Sequence, residues 1–399
     1  MKKKICFVVQ RYGLEVNGGA ELHCRQLAEH MLPYAEVHVA TSKAIDYMTW
    51  KDEYPEDTED INGVMVHRFG VVHERDIDYF NQLPSAAKGM NLTEEEEQKW
   101  IDEQGPLLPE LIDYLKNSKD EYDCFIFFTY LYYQTVMGVK EVKEKAIVIP
   151  TAHDEPFLRM KKYQSVFKDP RAILFNTDEE RVMIRKKFQN WNVKYHIGGV
   201  GVELPSEISK ERFYKKYNLK NYMIYVGRID EGKNCHQLFK DFIKYKEKYP
   251  SELKLVLMGK EIISVPKRED IVSLGFVDDQ DKFDGIAGAD FLVLPSRFES
   301  LSMVVLEAFS LNIPVLVNGE CEVLAAHCSK SNVGFYYKNT SEFCEMVKFL
   351  ESDSKLREQM GMLGQKYVKK NYQWDVIVRK LVYLIDYVEK CNREEGTAK

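Results

Sequence analysis

Nowhere in the 399 residues is there a run of eighteen apolar residues, so no segment has the length that a membrane-spanning helix needs. Lys2 to Lys4 are followed by an apolar stretch too short for the core of a signal peptide, and a soluble, cytoplasmic protein is expected. The eight cysteines include no Cys-x-x-Cys pair, the spacing used by zinc ribbons and thiol redox motifs, so reduced and mostly buried thiols are expected. Cys321, His327 and Cys328 lack a second ligand pair, which argues against a zinc site. The net charge of −7 argues against a nucleic-acid partner. The dinucleotide fingerprint is missing as well. In Gly13-Leu-Glu-Val-Asn-Gly18-Gly19 the first glycine stands too far from the last two for that tight turn.

What the chain does have is two α/β halves. With 45% hydrophobic residues, a chain of this length can bury two substantial cores. Strand-length apolar runs (Lys4 to Val9, Ala146 to Ile149, Met223 to Val226, Lys254 to Met258, Ile271 to Val277, Phe291 to Leu294, Ile313 to Val317) alternate with helical periodicity. The glycine-rich and then proline-containing stretch Gly198-Gly-Val-Gly-Val-Glu-Leu-Pro205 reads as a hinge. The expected division is residues 1–200, 201–372 and a closing helix in 373–399, with an irregular, acid-rich insertion at about 45–109. Within it the run Glu94 to Glu97 reads as a solvated helix face behind the N-cap Thr93.

The most informative segment runs from Pro295 to Phe309, where a buried strand turns through polar residues into a helix. Open parallel sheets bind ligands at the carboxyl ends of their strands. Ser300 and Ser302 offer N-cap oxygens to a helix expected near Met303, and the amides of its first turn form an anion site that suits a diphosphate. Glu299 lies in the turn, and Glu307 lies inside the helix among apolar neighbours. An ionised carboxylate there needs hydrogen-bond partners, which ribose or sugar hydroxyls would supply. Earlier in the chain, Gly227-Arg228-Ile-Asp-Glu-Gly-Lys233 follows a strand and puts two cations in one loop. Gly18 and Gly19 fit a turn that opens a helix while another group approaches closely. His153, at the end of a strand in Pro150-Thr-Ala-His-Asp-Glu-Pro, is by its sequence alone equally a general base, a hydrogen-bond donor or a loop residue. Thr177 reads as a cap.

The glutamate pair with seven residues between its members, together with the basic loop about seventy residues before it, closely resembles the family 4 (group 1) retaining glycosyltransferases. That resemblance implies the GT-B fold, two Rossmann-like domains facing a cleft with a last helix crossing back to the first domain. It implies transfer of a sugar from a nucleoside-diphosphate donor, UDP- or GDP-linked, to a glycan or lipid-linked acceptor in cell-surface polysaccharide or glycoconjugate synthesis. The implied roles are specific. Arg228 and Lys233 neutralise the leaving diphosphate, the amides at Ser300, Leu301 and Ser302 cap it, Glu299 orients the donor sugar and Glu307 holds the ribose. Phe276 and Val277 cradle the base through main chain, His153 contacts the donor sugar, and Gly18 and Gly19 line the phosphate side. No cofactor and no metal is implied, since Asp278, Asp279 and Asp281 read as a solvated turn. Leu301-Ser302 departs from the family's usual aromatic-glycine pair, which puts the sugar pocket in doubt. Arg181, Arg185, Lys186 and Lys187 crowd one helix, as an ordinary basic face or as a contact to anionic lipid at the inner membrane surface. A non-catalytic nucleotide-sugar binder, or a GT-B epimerase or phosphorylase, is the alternative reading.

Overall fold

The computed structural model describes residues 2–16 and 18–397. The chain divides into two compact units, one of Met1–Val200 with Trp374–Lys399 and one of Gly201–Gln373. In the first unit the strands are β1 (Lys3–Val8), β2 (Ala35–Ser42), β3 (Thr58–Ile61), β4 (Val64–Phe69), β5 (Cys124–Phe128), β6 (Ala146–Ile149), β7 (Ala172–Phe175) and β8 (Lys194–Ile197). They form one sheet in the order β3-β4-β2-β1-β5-β6-β7-β8. All its pairings are parallel except β3 with β4. Runs such as Cys124-Phe-Ile-Phe-Phe are buried throughout, as strands covered by helices on both faces must be. One core layer gathers Phe125, Phe127, Val148, Leu111, Trp100 and Tyr163. The helix Trp374–Thr397 packs on β8 and on the helix Gly19–Met31 within this unit.

Residues 45–109 are more regular than their composition suggested. They supply β3 and β4 to the sheet edge and a helix at Glu94–Gln104 that opens with a full capping box at Thr93 and Glu96. The acidic run is not all solvated. Glu97 is buried, and its two oxygens accept the backbone N–H groups of Lys161 and Lys162, each at 2.9 Å.

The second unit holds β9 (Tyr222–Val226), β10 (Lys254–Met258), β11 (Ile271–Ser273), β12 (Phe291–Leu294), β13 (Val315–Asn318) and β14 (Phe335–Tyr337), all parallel, in the order β11-β10-β9-β12-β13-β14. Strand order reverses between β9 and β12. That is the doubly wound arrangement, and its crevice at the reversal is where ligands bind. The strand expected over Ile271 to Val277 stops at Ser273, because Gly275 takes a left-handed φ of 67° and turns the chain out of the sheet. Among the described residues no helix is long and apolar enough to cross a membrane.

Candidate functional site

The loops after β9 and β12 flank the reversal point, and both carry the residues singled out from sequence. Gly227 donates its N–H to Met258 O at 2.9 Å. A side chain on Gly259, where φ is 146°, would stand 1.9 Å from the Gly227 carbonyl oxygen, so only glycine lets these loops approach. Asp230 then organises the basic loop. Its Oδ1 accepts the Lys233 N–H at 2.8 Å, and its Oδ2 lies 3.3 Å from the Arg228 guanidinium. Two side-chain amides, from Asn234 at 3.1 Å and Asn318 at 3.0 Å, converge on the carbonyl of Pro295. Three loops are thereby tied to one oxygen.

Beyond that anchor the turn brings Glu299 to Lys233, with Nζ and Oε1 2.7 Å apart. Sequence placed these two on the sugar and the phosphate separately; the fold makes them direct partners. Ser302 is the N-cap residue of the helix Met303–Ser310, but its side chain makes no capping bond, contrary to the expectation for that residue. The reason is its backbone. Ser302 has a φ of 72°, the left-handed region, where a Ser side chain does not reach back to the amides of the first turn. Serine thus stands in a conformation that glycine adopts without strain. The preceding carbonyl, Leu301 O, is 2.9 Å from Nε2 of His327. Burial depresses the His327 pKa to about 4, so at neutral pH the ring is uncharged and its Nε2–H donates to that carbonyl. Cys321 and Cys328 flank this histidine on the same stretch, yet no metal-binding group of three such residues exists among the described residues.

Glu307 is the fifth residue of the helix and 8% exposed. Its partner is one that sequence reasoning missed. Lys282, on the helix Asp279–Gly288, places Nζ 3.1 Å from Glu307 Oε1 and 3.2 Å from Asp279. Burial pushes the Glu307 carboxyl above its ordinary value, against the pull of Lys282. Burial likewise works against the Lys282 charge, but Glu307 and Asp279 outweigh it and hold the ammonium above the usual lysine value. The acidic cluster ahead of it is a solvated turn only in part: Asp278 and Asp279 are exposed, and Asp281 is buried. Asp278 caps the helix at Asp281 N (2.8 Å), and Asp281 accepts from Tyr217 at 2.6 Å and pairs with Lys216 at 2.5 Å. Phe276, just past β11, is 73% exposed, and Val277 beside it is half-buried.

In the first unit, Gly18 precedes the helix Gly19–Met31. A side chain there would meet Glu21 Oε2 at 2.2 Å, because the buried pair of Arg11 and Glu21 (2.6 Å) fills that space. Around Gly19 a Cβ would meet nothing within 4 Å, so close approach is required at Gly18 alone. His153 is half-buried, with Nδ1 3.7 Å from Glu155, which also accepts the Tyr130 hydroxyl. Its loop leaves β6 through Thr151 at a φ of 51°. The loop is gripped by Glu180, another residue that sequence reasoning missed: one oxygen accepts Ala152 N at 2.5 Å, the other Asn176 N at 2.6 Å. Burial pushes the Glu180 carboxyl up to about 8, although backbone donors pull it down. Thr177 caps the helix Asp178–Phe188 at Glu180 N. On that helix three of the four cations are engaged within the protein, Arg181 with Asp178 (2.8 Å), Lys187 with Asp154 (3.5 Å) and Arg185 over the Tyr195 ring (4.0 Å). A charged face spent this way leaves less for lipid headgroups.

Residues 207–391 match the family model described as glycosyl transferases group 1. That stretch contains the whole reversal point with Arg228, Lys233, Glu299 and Glu307. An uncharacterised glycosyltransferase of Methanocaldococcus jannaschii is 24% identical over 95% of this chain and 97% of its own length. The capsular polysaccharide biosynthesis glycosyltransferase CapM of Staphylococcus aureus is 25% identical over 45% of this chain and 49% of its own. Among solved structures, sucrose-phosphate synthase from Thermosynechococcus elongatus superposes with a TM-score of 0.69 at 15% identity, covering 100% of both chains. Anabaena HepE in complex with UDP and glucose gives 0.69 at 15% identity, over 96% of this chain and 100% of that one. The fold is GT-B. Sequence and fold together support a group 1 glycosyltransferase.

Proposed function

We propose that this protein transfers a glycosyl group from a nucleoside-diphosphate sugar to a hydroxyl of a glycan or lipid-linked acceptor, with retention at the anomeric carbon and without a metal ion. One observation carries the reading. At the sheet reversal of the second unit, two cations and one carboxylate stand on strand-end loops, and a second carboxylate lies inside the helix whose N-terminus follows the second loop. A departing nucleoside diphosphate gains negative charge, and fixed cations stabilise that charge more in the transition state than in the ground state. Arg228 and Lys233 supply them. Lys233 is held by Glu299, so an arriving diphosphate competes for the ammonium and leaves the Glu299 carboxylate to the sugar hydroxyls. The polysaccharide context of CapM and the UDP complex of HepE support a nucleotide-sugar donor and a cell-surface product. His153 of the first unit enters through the family resemblance, as the group that touches the sugar near the reacting carbon.

Lys233→Ala removes a charge-assisted contact worth about 1.5 to 3 kcal/mol, which is roughly a ten- to hundredfold loss in nucleoside-diphosphate affinity. Titration calorimetry with UDP, GDP and ADP, beside turnover on a panel of their sugars, measures it. Tight binding without any turnover in the presence of acceptors would favour the non-catalytic alternative. Unchanged affinity in the variant would remove Lys233 from the site.

A further inference from the structure

Lys282 is four-fifths shielded, with 18% of its side chain exposed, and it sits between acids from two helices, Glu307 and Asp279. The Phe283 ring lies 4.2 Å from its ammonium and closes the apolar side. A buried ammonium and a buried carboxylate persist only as each other's partners. The contact uses one carboxylate oxygen, Oε1, and among the described residues no hydrogen-bond partner stands at Oε2, while 10% of the Glu307 side chain remains exposed. One cation beside this helix is committed elsewhere. Arg357, from the helix packed on it, pairs with Asp290 at 2.7 Å, and Tyr367 of that same helix meets the Phe309 ring at 6.1 Å. Asp279 is the second charge that acts on Glu307, and it acts to oppose ionisation.

We propose that Lys282 is a positioning residue for the donor nucleotide: it clamps one oxygen of Glu307 and keeps the carboxylate ionised, so that the other oxygen accepts the ribose hydroxyls. This rests on reading the site as one for a nucleoside-diphosphate sugar. In Lys282→Met the length is kept and the charge is lost, leaving Glu307 buried beside Asp279 with no cation. Glu307 then takes up a proton at higher pH than it does beside Lys282. A protonated carboxyl accepts hydroxyls more weakly than the anion, and two opposite pH trends follow. Nucleoside-diphosphate affinity in the variant falls roughly tenfold between pH 8 and pH 6, where the wild type stays flat over the same range. Its thermal stability relative to wild type runs the other way, declining as pH rises, because the folded state must then ionise an uncompensated buried acid. Lys282→Arg restores the flat profile. Adding Glu307→Gln to Lys282→Met removes both trends, and because this pair leaves no uncompensated buried charge it folds more stably than the single variant.

Calorimetry with UDP and thermal melts, both across pH 6 to 8, provide two independent readings. Opposite trends in Lys282→Met that vanish in the double variant support the assignment. Wild-type-like profiles in both readings overturn it. A pH-dependent melt with unchanged nucleotide affinity also overturns it, since Lys282 would then serve packing alone. A wild type that binds none of the nucleoside diphosphates overturns the donor reading and the positioning role together, and the melts then still show whether Lys282 holds Glu307 as an anion.

Discussion

Glu299 and Glu307 are eight positions apart, yet they answer to different cations, Lys233 at 2.7 Å and Lys282 at 3.1 Å. The consequences of losing each should differ accordingly. Glu307→Gln is expected to raise the donor KM and weaken binding of the bare diphosphate, since ribose is held alike in ground and transition states. Glu299→Gln is expected to keep or strengthen diphosphate binding, since it frees Lys233, and to lower kcat, because on the proposed reading its carboxylate serves the sugar that reacts. Calorimetry with the diphosphate beside steady-state kinetics separates them, and equal loss of diphosphate affinity in both would refute the assignment. Ser302 offers a second test. A non-glycine residue at a φ of 72° costs about 1 kcal/mol or more, so Ser302→Gly should raise thermal stability by about that amount. A lower melting temperature would mean that the serine hydroxyl contributes more than its backbone strain costs.

At the level of elements, the β6 and β7 loops are joined by a single carboxylate. Glu180 offers an acceptor to Ala152 N and another to Asn176 N, and both donors lie where strands end and cannot turn elsewhere. Glutamine has one acceptor oxygen, so Glu180→Gln leaves a buried N–H facing an amide nitrogen, a cost of about 1 to 3 kcal/mol. Denaturant unfolding measures this, and turnover should fall with it because His153, placed at the donor sugar on the proposed reading, directly follows Ala152. Little of this joint could be read in advance. The segment Asn176-Thr-Asp-Glu-Glu announces a cap and an acidic first turn, which is what Thr177 provides. That its third acid turns inward depends on where β6 ends beside β7, which no local pattern records. The strands themselves were plain. Ala146 to Ile149 and Phe291 to Leu294 are apolar runs of strand length, and the structure bounds both strands at those residues.

For the molecule as a whole, buried uncharged histidines set the response to acid. Burial lowers His23 to about 3 and both His67 and His327 to about 4, and it lowers His38 as well. His38 and His67, on β2 and β4, also place ring nitrogens 2.9 Å apart, so neither gains a proton easily. An unfolded histidine titrates near 6.5, so below that pH the unfolded chain binds protons that the folded chain refuses. The histidine contribution is fully present above about pH 6.5 and is lost as pH falls towards 4, while Glu180, pushed up to about 8, acts in the opposite sense over the same window. The fully buried His23 and His327 contribute of order 3 kcal/mol each at about 1.4 kcal/mol per pKa unit. Melting temperature followed from pH 7.5 to 4.5 in Glu180→Gln, which lacks the opposing acid, checks the sign, and a constant value over that range would contradict it.

The sequence by itself determined the α/β class, the break near Val200, the glutamate pair and the basic loop. Each of these lies within a few residues of chain, where propensity, burial pattern and turn chemistry act directly. Only the tertiary structure decided that Lys282 is a partner of Glu307, that His327 holds Leu301 O, that Gly18 makes room for Glu21 against Arg11, and that Glu97 and Glu180 point inward. Most of these contacts join elements about twenty-five to sixty-five residues apart. Their geometry follows from how helices settle on a twisted sheet, so the partner of a buried charge is chosen by packing after the strands are already specified.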